Sequence, residues 1–304
     1  MKILVTGGAG FIGSNLVEEL VRLGHDVVVL DNFFLGTEKN LSGLGAEIVN
    51  GDIRDEKAVG KACNGADYIF NQAAASSSPM FSKNLRDAVS VNVDGFINIL
   101  NAARENGTKR VMYASTSSLY GNLPGPLRED MKVTPPNFYS VTKLVNEQLA
   151  SVYTTEYGVE TTGFRYMSVY GPREEGKGVF ANLVSQFLWA LRKDEQPVIY
   201  GDGTQTRDFV YVKDVVQANI LAMKKQNTGG EVFNVGTGIA TSLNDMVALL
   251  NRLLGKTIKQ KYIETPVKNY IDAQLSDISK IKRILGFEPR YSLEEGIKDM
   301  LGMD

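Results

Sequence analysis

Short apolar runs alternate with amphipathic stretches through the first half of the chain. Residues 3–5, 27–30 and 111–114 are apolar runs of strand length, whereas 11–23 and 140–156 carry apolar residues at helical spacing. This alternation predicts a parallel sheet that helices cover on both faces, a doubly wound α/β fold. The same reading predicts a helix at 91–104 and strands at 48–49, 68–70 and 161–164.

The pattern loosens after about residue 171, where glycine and proline become frequent and the apolar runs shorten. Helices are predicted at 179–192, 212–225, 243–254, 278–285 and 293–301. No internal repeat or flexible linker separates the two halves. We therefore expect a first domain at 1–170 and a smaller C-terminal α/β lobe at 171–304, with some segments of the lobe returning to the first domain.

Composition excludes several classes of function. The chain has 304 residues with 43% apolar and 22% charged residues and a net charge of −2, which gives no reason to expect nucleic acid as a partner. One cysteine (Cys63) and one histidine (His25) allow no intrachain disulfide, and they argue against a metal site or a Ser-His-Asp triad. No apolar run approaches the ~20 residues of a membrane span. We expect a cytoplasmic protein that binds neither membrane nor metal.

A glycine-rich turn follows the first predicted strand and opens the first predicted helix. Gly7, Gly10 and Gly13 have the spacing G-x-x-G-x-x-G. Glycine permits the tight turn, lets the backbone approach a pyrophosphate, and lets helix and strand pack closely. Phe11 and Ile12 begin the helix, whose free N–H groups and positive dipole end attract phosphate. The turn predicts a dinucleotide site, although a turn without a ligand can have the same spacing.

Two further strand ends support that interpretation. Asp31 ends the second predicted strand, where a carboxylate hydrogen-bonds the adenosine ribose and repels a 2′-phosphate. Asp52 and Ile53 end the third strand, in a suitable place to contact adenine. Together with the glycine turn, these residues predict a Rossmann-type sheet that binds NAD in preference to NADP.

Tyr139 and Lys143 lie four residues apart at the start of a predicted helix, so their side chains share one face. A phenol has a pKa of about 10, and a neighbouring ammonium lowers that pKa, which makes tyrosine a usable acid and base. The Ser/Thr run at 115–118 follows the strand at 111–114 and would present a hydroxyl to the reacting oxygen beside the nicotinamide. Each pattern alone is common by chance. Their occurrence together, in this order after a dinucleotide turn, predicts a catalytic site.

These residues resemble those of the extended short-chain dehydrogenases/reductases. The glycine turn, Thr116, Tyr139 and Lys143 match the glycine turn and the Ser/Thr-Tyr-Lys set of that class, and the resemblance covers essentially the whole chain. Other matching motifs are Leu119-Tyr120-Gly121, Arg165-Tyr166, Val169-Tyr170-Gly171-Pro172-Arg173, Gly201-Asp202-Gly203, Arg207-Asp208-Phe209 and Phe233-Asn234-Val235-Gly236. The combination is similar to the UDP-glucose 4-epimerases and their UDP-N-acetylglucosamine 4-epimerase relatives.

The resemblance implies site residues by position. Besides the glycine turn, the implied NAD contacts are Asp31, Asn32, Asp52, Ile53, Gln72, Ala73, Ala74, Asn92, Tyr139, Lys143 and Tyr166. Tyr200 is implied to stack on uracil, Arg207 to bind the pyrophosphate, and Lys268 to add a second cation. Packing within the lobe is the alternative role of Tyr200, and an ion pair with Asp208 or Asp214 is that of Arg207. A homodimer formed through the helices around 91–104 and 140–156 is implied as well.

The resemblance also narrows the reaction. Family members share a first step in which the catalytic tyrosine, here Tyr139, takes the proton of a sugar hydroxyl while NAD accepts hydride from that carbon. Related dehydratases and decarboxylases carry an acid one or two residues after the catalytic hydroxyl, and these positions are Ser117 and Ser118 here. Neither serine supplies a carboxylate. The resemblance therefore implies 4-epimerisation of a UDP-hexose through a 4-keto sugar that turns and takes hydride back on its opposite face.

Two predicted substrate positions bear on which sugar the site accepts. Ser168 stands where the family usually has asparagine, and serine offers fewer hydrogen bonds. Gln274 aligns with the position whose size gates N-acetylated sugars, which favours a site open to UDP-N-acetylglucosamine as well as UDP-glucose. The alternatives are another nucleotide-sugar epimerase such as a UDP-glucuronate 4-epimerase, a reductase of a 4-keto sugar, and a non-enzymatic NAD-binding regulator.

Overall fold

The computed structural model describes residues 1–265 and 270–303. Its strands are β1 Lys2–Thr6, β2 Asp26–Asp31, β3 Glu47–Asn50, β4 Tyr68–Asn71, β5 Arg110–Ala114, β6 Thr161–Tyr166, β7 Ser168–Tyr170, β8 Val198–Tyr200, β9 Thr206–Arg207, β10 Phe209–Tyr211, β11 Glu231–Val235, β12 Thr241–Ser242 and β13 Lys261–Ile263. Its α-helices are α1 Phe11–Arg22, α2 Glu56–Cys63, α3 Ser78–Lys83, α4 Leu85–Asn92, α5 Asp94–Asn106, α6 Phe138–Tyr157, α7 Leu183–Arg192, α8 Val212–Lys224, α9 Leu243–Leu254, α10 Ser279–Leu285 and α11 Leu293–Leu301.

The predicted doubly wound sheet is confirmed. Within the described residues, seven strands form one sheet in the order β11-β6-β5-β4-β1-β2-β3, and all neighbouring pairs are parallel. The chain winds from β1 outward to β3, crosses back to β4, and then winds in the other direction. β1 and β4 are therefore neighbours whose following segments diverge, which creates the crevice where such sheets bind ligands.

Helices cover both faces of the sheet because its strands are apolar on both sides. One core lies under α1 and α8 and contains Leu16, Leu20 and Val215. The other core lies under α2, α5 and α6 and contains Val59 and Phe96. None of the helices in the described ranges is long and apolar enough to cross a membrane.

The chain beyond residue 170 contributes to both parts of the molecule. β11 pairs with β6 in the main sheet, so this segment returns to the first domain. The remaining strands make two-stranded pairs, β7 with β10, β8 with β13 and β9 with β12. The division of the chain at residue 170 stays an interpretation.

Two predicted helices begin later than the apolar pattern indicated. The helix predicted at 91–104 is interrupted at Val93, and α5 starts only at Asp94. The helix predicted at 179–192 starts at Leu183, because Gly178 has a φ of 50° and the side chain of Asn182 accepts the N–H of Val184 at 3.0 Å. Both helices are therefore shorter than predicted, and a separate backbone segment precedes each of them.

Candidate active site

The three glycines of the turn after β1 have different roles. A Cβ on Gly13 would lie 2.1 Å from the carbonyl oxygen of Gly7, and one on Gly7 would lie 2.6 Å from the nitrogen of Ala73. These two glycines permit the close approach of α1, β1 and the segment after β4. Gly10 instead caps α1 without a side-chain hydrogen bond, and a Cβ there would meet only the oxygen of Gly7, at 3.2 Å. The first N–H groups of α1, beginning at Phe11, are thus left for a phosphate.

Asp31 lies beside this turn at the end of β2. Its carboxylate accepts the N–H of Ala9 at 2.9 Å and that of Phe33 at 2.8 Å. Burial raises the pKa of this carboxyl group, and the two N–H donors oppose that shift. Because a carboxylate accepts more than two hydrogen bonds, Asp31 retains the capacity to bind the ribose hydroxyls of a dinucleotide.

Asn32, Asp52 and Ile53 meet at the same edge of the sheet. Asn32 Nδ2 donates to Asp52 Oδ2 at 3.0 Å, and Arg54 pairs with Asp52 at 2.8 Å. The hydrogen bonds from Arg54 hold the pKa of Asp52 at about 2, so this carboxylate stays charged. Ile53 is buried, in close contact with Gly95 of α5. The fold thus gathers the residues predicted to surround adenosine.

The segment after β4 is tied to its neighbours by amide side chains. Gln72 Nε2 donates to the phenol oxygen of Tyr166 at 3.2 Å, and burial raises the pKa of Tyr166 to about 12. Asn92 accepts the N–H of Ala75 at 2.8 Å and donates to Thr142 at 3.0 Å. These bonds link the segment to β6, α4 and α6 at the mouth of the crevice. The segment also contains two further predicted NAD contacts, the half-buried Ala73 and Ala74.

The proposed catalytic side chains come together at the start of α6. Asn137 and Ser140 form a capping box that starts this helix, so Tyr139 lies in its first turn and Lys143 one turn later. Lys143 Nζ donates to the carbonyl of Ala114, at the end of β5, at 2.9 Å, and lies 6.0 Å from the centre of the Tyr139 ring. Thr116, two residues beyond β5, is hydrogen-bonded to Tyr139.

The protonation of this cluster differs from the expectation drawn from spacing. Burial raises the pKa of Tyr139, and only the hydrogen bond with Thr116 opposes that rise. Burial lowers the pKa of Lys143 to about 8. Lys143 does not lower the pKa of Tyr139 as the spacing predicted; the direction of the shift is set by burial, which disfavours charge on both groups.

A buried ion pair lies beneath residues 115–120, the proposed catalytic segment, and was not predicted from the sequence. Arg165 of β6 contacts Glu147 of α6 through two hydrogen bonds, at 2.7 and 2.9 Å. Ser115 donates to the same carboxylate at 2.5 Å, and Arg165 donates to the Tyr120 phenol at 2.9 Å. Ser115 and Tyr120 flank Thr116 in the chain, so the network fixes the catalytic segment against α6. The sequence signal that could have indicated this pair is the position of Glu147, four residues after Lys143 and therefore on the same face of the helix.

Tyr200 and Arg207 both contact the side chain of Tyr270 in the C-terminal part. Tyr200 ends β8, and Arg207 ends β9 with only 8% of its surface exposed. The guanidinium donates to the carbonyl of Thr206 at 2.8 Å, and within 1–265 and 270–303 it makes no ion pair. The ring of Tyr270, which the sequence analysis did not single out, lies 6.1 Å from the Tyr200 ring and 5.4 Å from the Arg207 guanidinium.

The two aspartates considered as partners of Arg207 are engaged elsewhere. Asp208 accepts the N–H groups of Thr237 and Gly238 and the hydroxyl of Ser276. Asp214 accepts the N–H groups at 290 and 291. The structural ion pair that was the alternative role for Arg207 is therefore not formed.

The remaining substrate candidates are placed as follows. Gln274 is buried, and its Nε2 donates to Ser117 Oγ at 3.3 Å, directly beside Thr116, the predicted catalytic hydroxyl. Ser168 begins β7, half-buried, and its N–H donates to the carbonyl of Asp208 at 3.0 Å. Lys268 lies outside the described residues. The fold thus brings Gln274 to the proposed catalytic group, although 157 residues separate it from Ser117.

A Rossmann sheet with an uncapped glycine turn, beside a Thr-Tyr-Lys cluster, defines the class of short-chain dehydrogenases/reductases. A model of the NAD dependent epimerase/dehydratase family matches residues 3–236. The chain belongs to this family, is an enzyme of the epimerase type, and uses NAD as its cofactor.

Three similar proteins agree with this placement. The UDP-glucose 4-epimerase of Mycolicibacterium smegmatis is 34% identical over 304 residues, covering 98% of this chain and 96% of that protein. The structure of the Thermotoga maritima UDP-glucose 4-epimerase with UDP-glucose is 36% identical, with a TM-score of 0.94 and coverage of 99% and 98%. The Methanobrevibacter ruminantium UDP-N-acetylglucosamine 4-epimerase in complex with UDP-N-acetylmuramic acid is 31% identical, with a TM-score of 0.91 and coverage of 99% and 95%.

Proposed function

We propose that the protein interconverts UDP-glucose and UDP-galactose by epimerisation at C4 and also accepts the corresponding N-acetylated pair. The observation that carries this proposal is the cluster of Thr116, Tyr139 and Lys143 in a fold that also has the glycine turn of a dinucleotide site. Serine occupies both positions after Thr116. The similarity to 4-epimerases along the whole chain supports the same reaction.

The side chains of the cluster divide the work of proton transfer. Bound at the glycine turn, NAD would supply the chemistry of accepting and returning hydride. Tyr139 takes the proton from the C4 hydroxyl of the sugar and gives it back after the sugar has turned. Thr116 donates a hydrogen bond that favours the phenolate. We assign to the Lys143 ammonium, 6.0 Å from the centre of the Tyr139 ring, the role of stabilising the negative charge once the proton has been lost.

The surroundings of the cluster argue against elimination or decarboxylation. Those reactions need an acid or base besides the tyrosine, and neither Ser117 nor Ser118 provides one. Glu147, the carboxylate next to the catalytic segment, is held by Arg165 and Ser115 in a buried network. A keto sugar in this site is therefore expected to be reduced again.

Epimerisation also requires that the nucleotide stay fixed while the sugar turns. Arg207 and Tyr200 both contact the side chain of Tyr270 in the C-terminal part, where a guanidinium suits a pyrophosphate and an aromatic ring suits a base. The Thermotoga maritima relative was solved with UDP-glucose, which supports a UDP-sugar as the ligand.

A panel of substrates tests the proposal. We expect NMR to show that purified enzyme converts UDP-galactose to UDP-glucose, and UDP-N-acetylglucosamine to its C4 epimer, without added NADH. An epimerase returns its hydride to the product, whereas a reductase consumes NADH. Turnover of UDP-glucuronate alone, or turnover only with added NADH, would replace the proposal by one of its alternatives.

Substitutions at Gln274 test whether this residue lets the site accept N-acetylated sugars. Gln274→Tyr places a larger ring beside Ser117 in a buried position, so we expect selective loss of the N-acetylated activity and retention of UDP-galactose turnover. Gln274→Asn, with a smaller amide, is expected to keep both activities. Equal loss of both activities in Gln274→Tyr would contradict a gating role.

We also propose that the enzyme is a homodimer formed through α5 and α6. Phe138, Val141 and Val152 of α6 are 60%, 44% and 45% exposed, and their spacing places them along one side of the helix. Exposed apolar surface of this kind favours a protein partner. Light scattering should give twice the chain mass, and Val141→Lys combined with Val152→Lys should give a monomer. Ile239→Lys, at an exposed loop residue, is the control that stays dimeric.

A further inference from the structure

Tyr270 links two groups of the proposed nucleotide site. Its ring meets that of Tyr200 at 71°, with 6.1 Å between centroids, which is an edge-to-face contact. Its face lies 5.4 Å from the Arg207 guanidinium, within the range of a cation–π interaction. Neither the chain motifs nor the proposed function gives Tyr270 a role.

Arg207 makes no ion pair in the part of the chain that the structure describes; Asp272 acts on its charge only from beyond contact distance. The single protein hydrogen bond of Arg207 goes to a neutral carbonyl, that of Thr206. Asp208, which follows it in the chain, is bonded to Thr237, Gly238 and Ser276. A buried cation without an ion pair is unfavourable, and the Tyr270 ring stabilises the charge without neutralising it.

The backbone around Tyr270 is held from two sides. Asn122, which follows the catalytic segment, donates to the carbonyl of Tyr270 at 2.9 Å and accepts the N–H of Asp272 at 2.8 Å. The carbonyl of Asp272 accepts the N–H of Thr206 at 2.9 Å, and Thr206 directly precedes Arg207. The position of the ring is therefore set by the strand that carries Arg207 and by the catalytic segment.

We propose that Tyr270 is a positioning residue for a nucleoside diphosphate. Its ring orients the Arg207 guanidinium, which is free of an ion pair in the described residues, toward the pyrophosphate, and it supports Tyr200 against the base. The inference rests on the proposed function only in that the substrate carries a nucleoside diphosphate. A carboxylate at position 270 would pair with Arg207 and cancel its charge. An aromatic ring holds the guanidinium while its N–H groups stay free for an anion.

The test is calorimetric binding of UDP to the full-length, NAD-loaded enzyme. Tyr270→Phe keeps the ring face and is expected to bind UDP as the wild type does. Tyr270→Leu is expected to weaken binding about tenfold, equivalent to about 1.4 kcal/mol and typical of a desolvated cation–π contact. Tyr270→Glu is expected to bind more weakly than Tyr270→Leu, because its carboxylate competes with the pyrophosphate for Arg207.

Two controls separate this role from a merely structural one. Tyr157→Leu removes another tyrosine–arginine contact, 4.8 Å from Arg104 and far from the site, and is expected to leave UDP affinity unchanged. NAD content should be the same in all variants. In turnover, Tyr270→Leu should raise KM with kcat nearly unchanged, since the residue acts on nucleotide binding.

A double-mutant cycle decides whether Tyr270 acts through Arg207. Arg207→Met should weaken UDP binding, and adding Tyr270→Leu to it should cause little further loss. Independent, additive losses would overturn the proposal, as would wild-type affinity in Tyr270→Leu or unchanged affinity in Arg207→Met. Coupled losses of UDP affinity in an enzyme that fails to epimerise UDP-sugars would refute the proposed function and leave this inference standing.

Discussion

Tyr139→Phe is expected to lower turnover by about two to four orders of magnitude, the usual contribution of a positioned acid and base. The substitution removes only the hydroxyl and keeps the ring that packs 6.0 Å from Phe81. Folding and NAD binding should therefore be nearly intact. Turnover is measured with saturating UDP-galactose, and NAD content is measured after denaturation.

Tyr153→Phe is the matched control for this variant. Tyr153 lies on the same helix, and its hydroxyl donates to Asn101 at 2.8 Å, away from the catalytic cluster. Loss of that hydroxyl should leave turnover at the wild-type level. If Tyr139→Phe retained more than about a tenth of wild-type turnover, the loss would be smaller than the roughly hundredfold minimum of general acid–base catalysis. Tyr139 would then not be the acid and base.

Lys143→Met is expected to abolish most turnover and at the same time to stabilise the folded enzyme near pH 7. Lys143 is 2% exposed, and burial lowers its pKa from 10.5 to about 8. Folding therefore has to desolvate its charge below pH 8, a penalty of about 3 kcal/mol at most from the difference in pKa. Methionine fills similar space without a charge, and the lost hydrogen bond to Ala114 offsets about 1 kcal/mol of the gain.

The sign of the pH dependence follows from the lowered pKa. Between pH 8 and 10.5 the unfolded state binds more protons at this lysine than the folded state, so wild-type stability rises with pH across that window. The advantage of Lys143→Met should shrink over the same window. The difference in melting temperature between Lys143→Met and the wild type, taken at pH 7 and at pH 10, measures this advantage. Lys57→Met, at an exposed lysine, is the control. A variant less stable than the wild type at pH 7 would contradict the account.

Buried cations in this protein fall into two groups. Arg165 and Arg110 are each 5% exposed, and each pairs with a glutamate, Glu147 and Glu160. Lys143 and Arg207 are 2% and 8% exposed, but in the described residues each hydrogen-bonds only to a backbone carbonyl. Buried charges without counterions mark functional sites more often than structural ones. The contrast supports a catalytic role for Lys143 and an anion-binding role for Arg207.

The sequence by itself determined the sheet class, the cofactor and the pairing of Tyr139 with Lys143. These features depend on rules that act over a few residues, namely apolar periodicity, the sterics of Gly7, Gly10 and Gly13, and the rise of a helix. The two helix starts were mispredicted because the apolar pattern carries no signal for the break at Val93 or for the positive φ at Gly178.

Only the tertiary structure decided how the site is completed. The contacts of Gln274 with Ser117, of Arg165 with Glu147, and of Tyr270 with Arg207 join residues 157, 18 and 63 positions apart. The direction of the Tyr139 pKa shift also emerged from burial and not from the spacing of Lys143. Long-range contacts and desolvation depend on how the whole chain packs, and local sequence patterns do not contain that information.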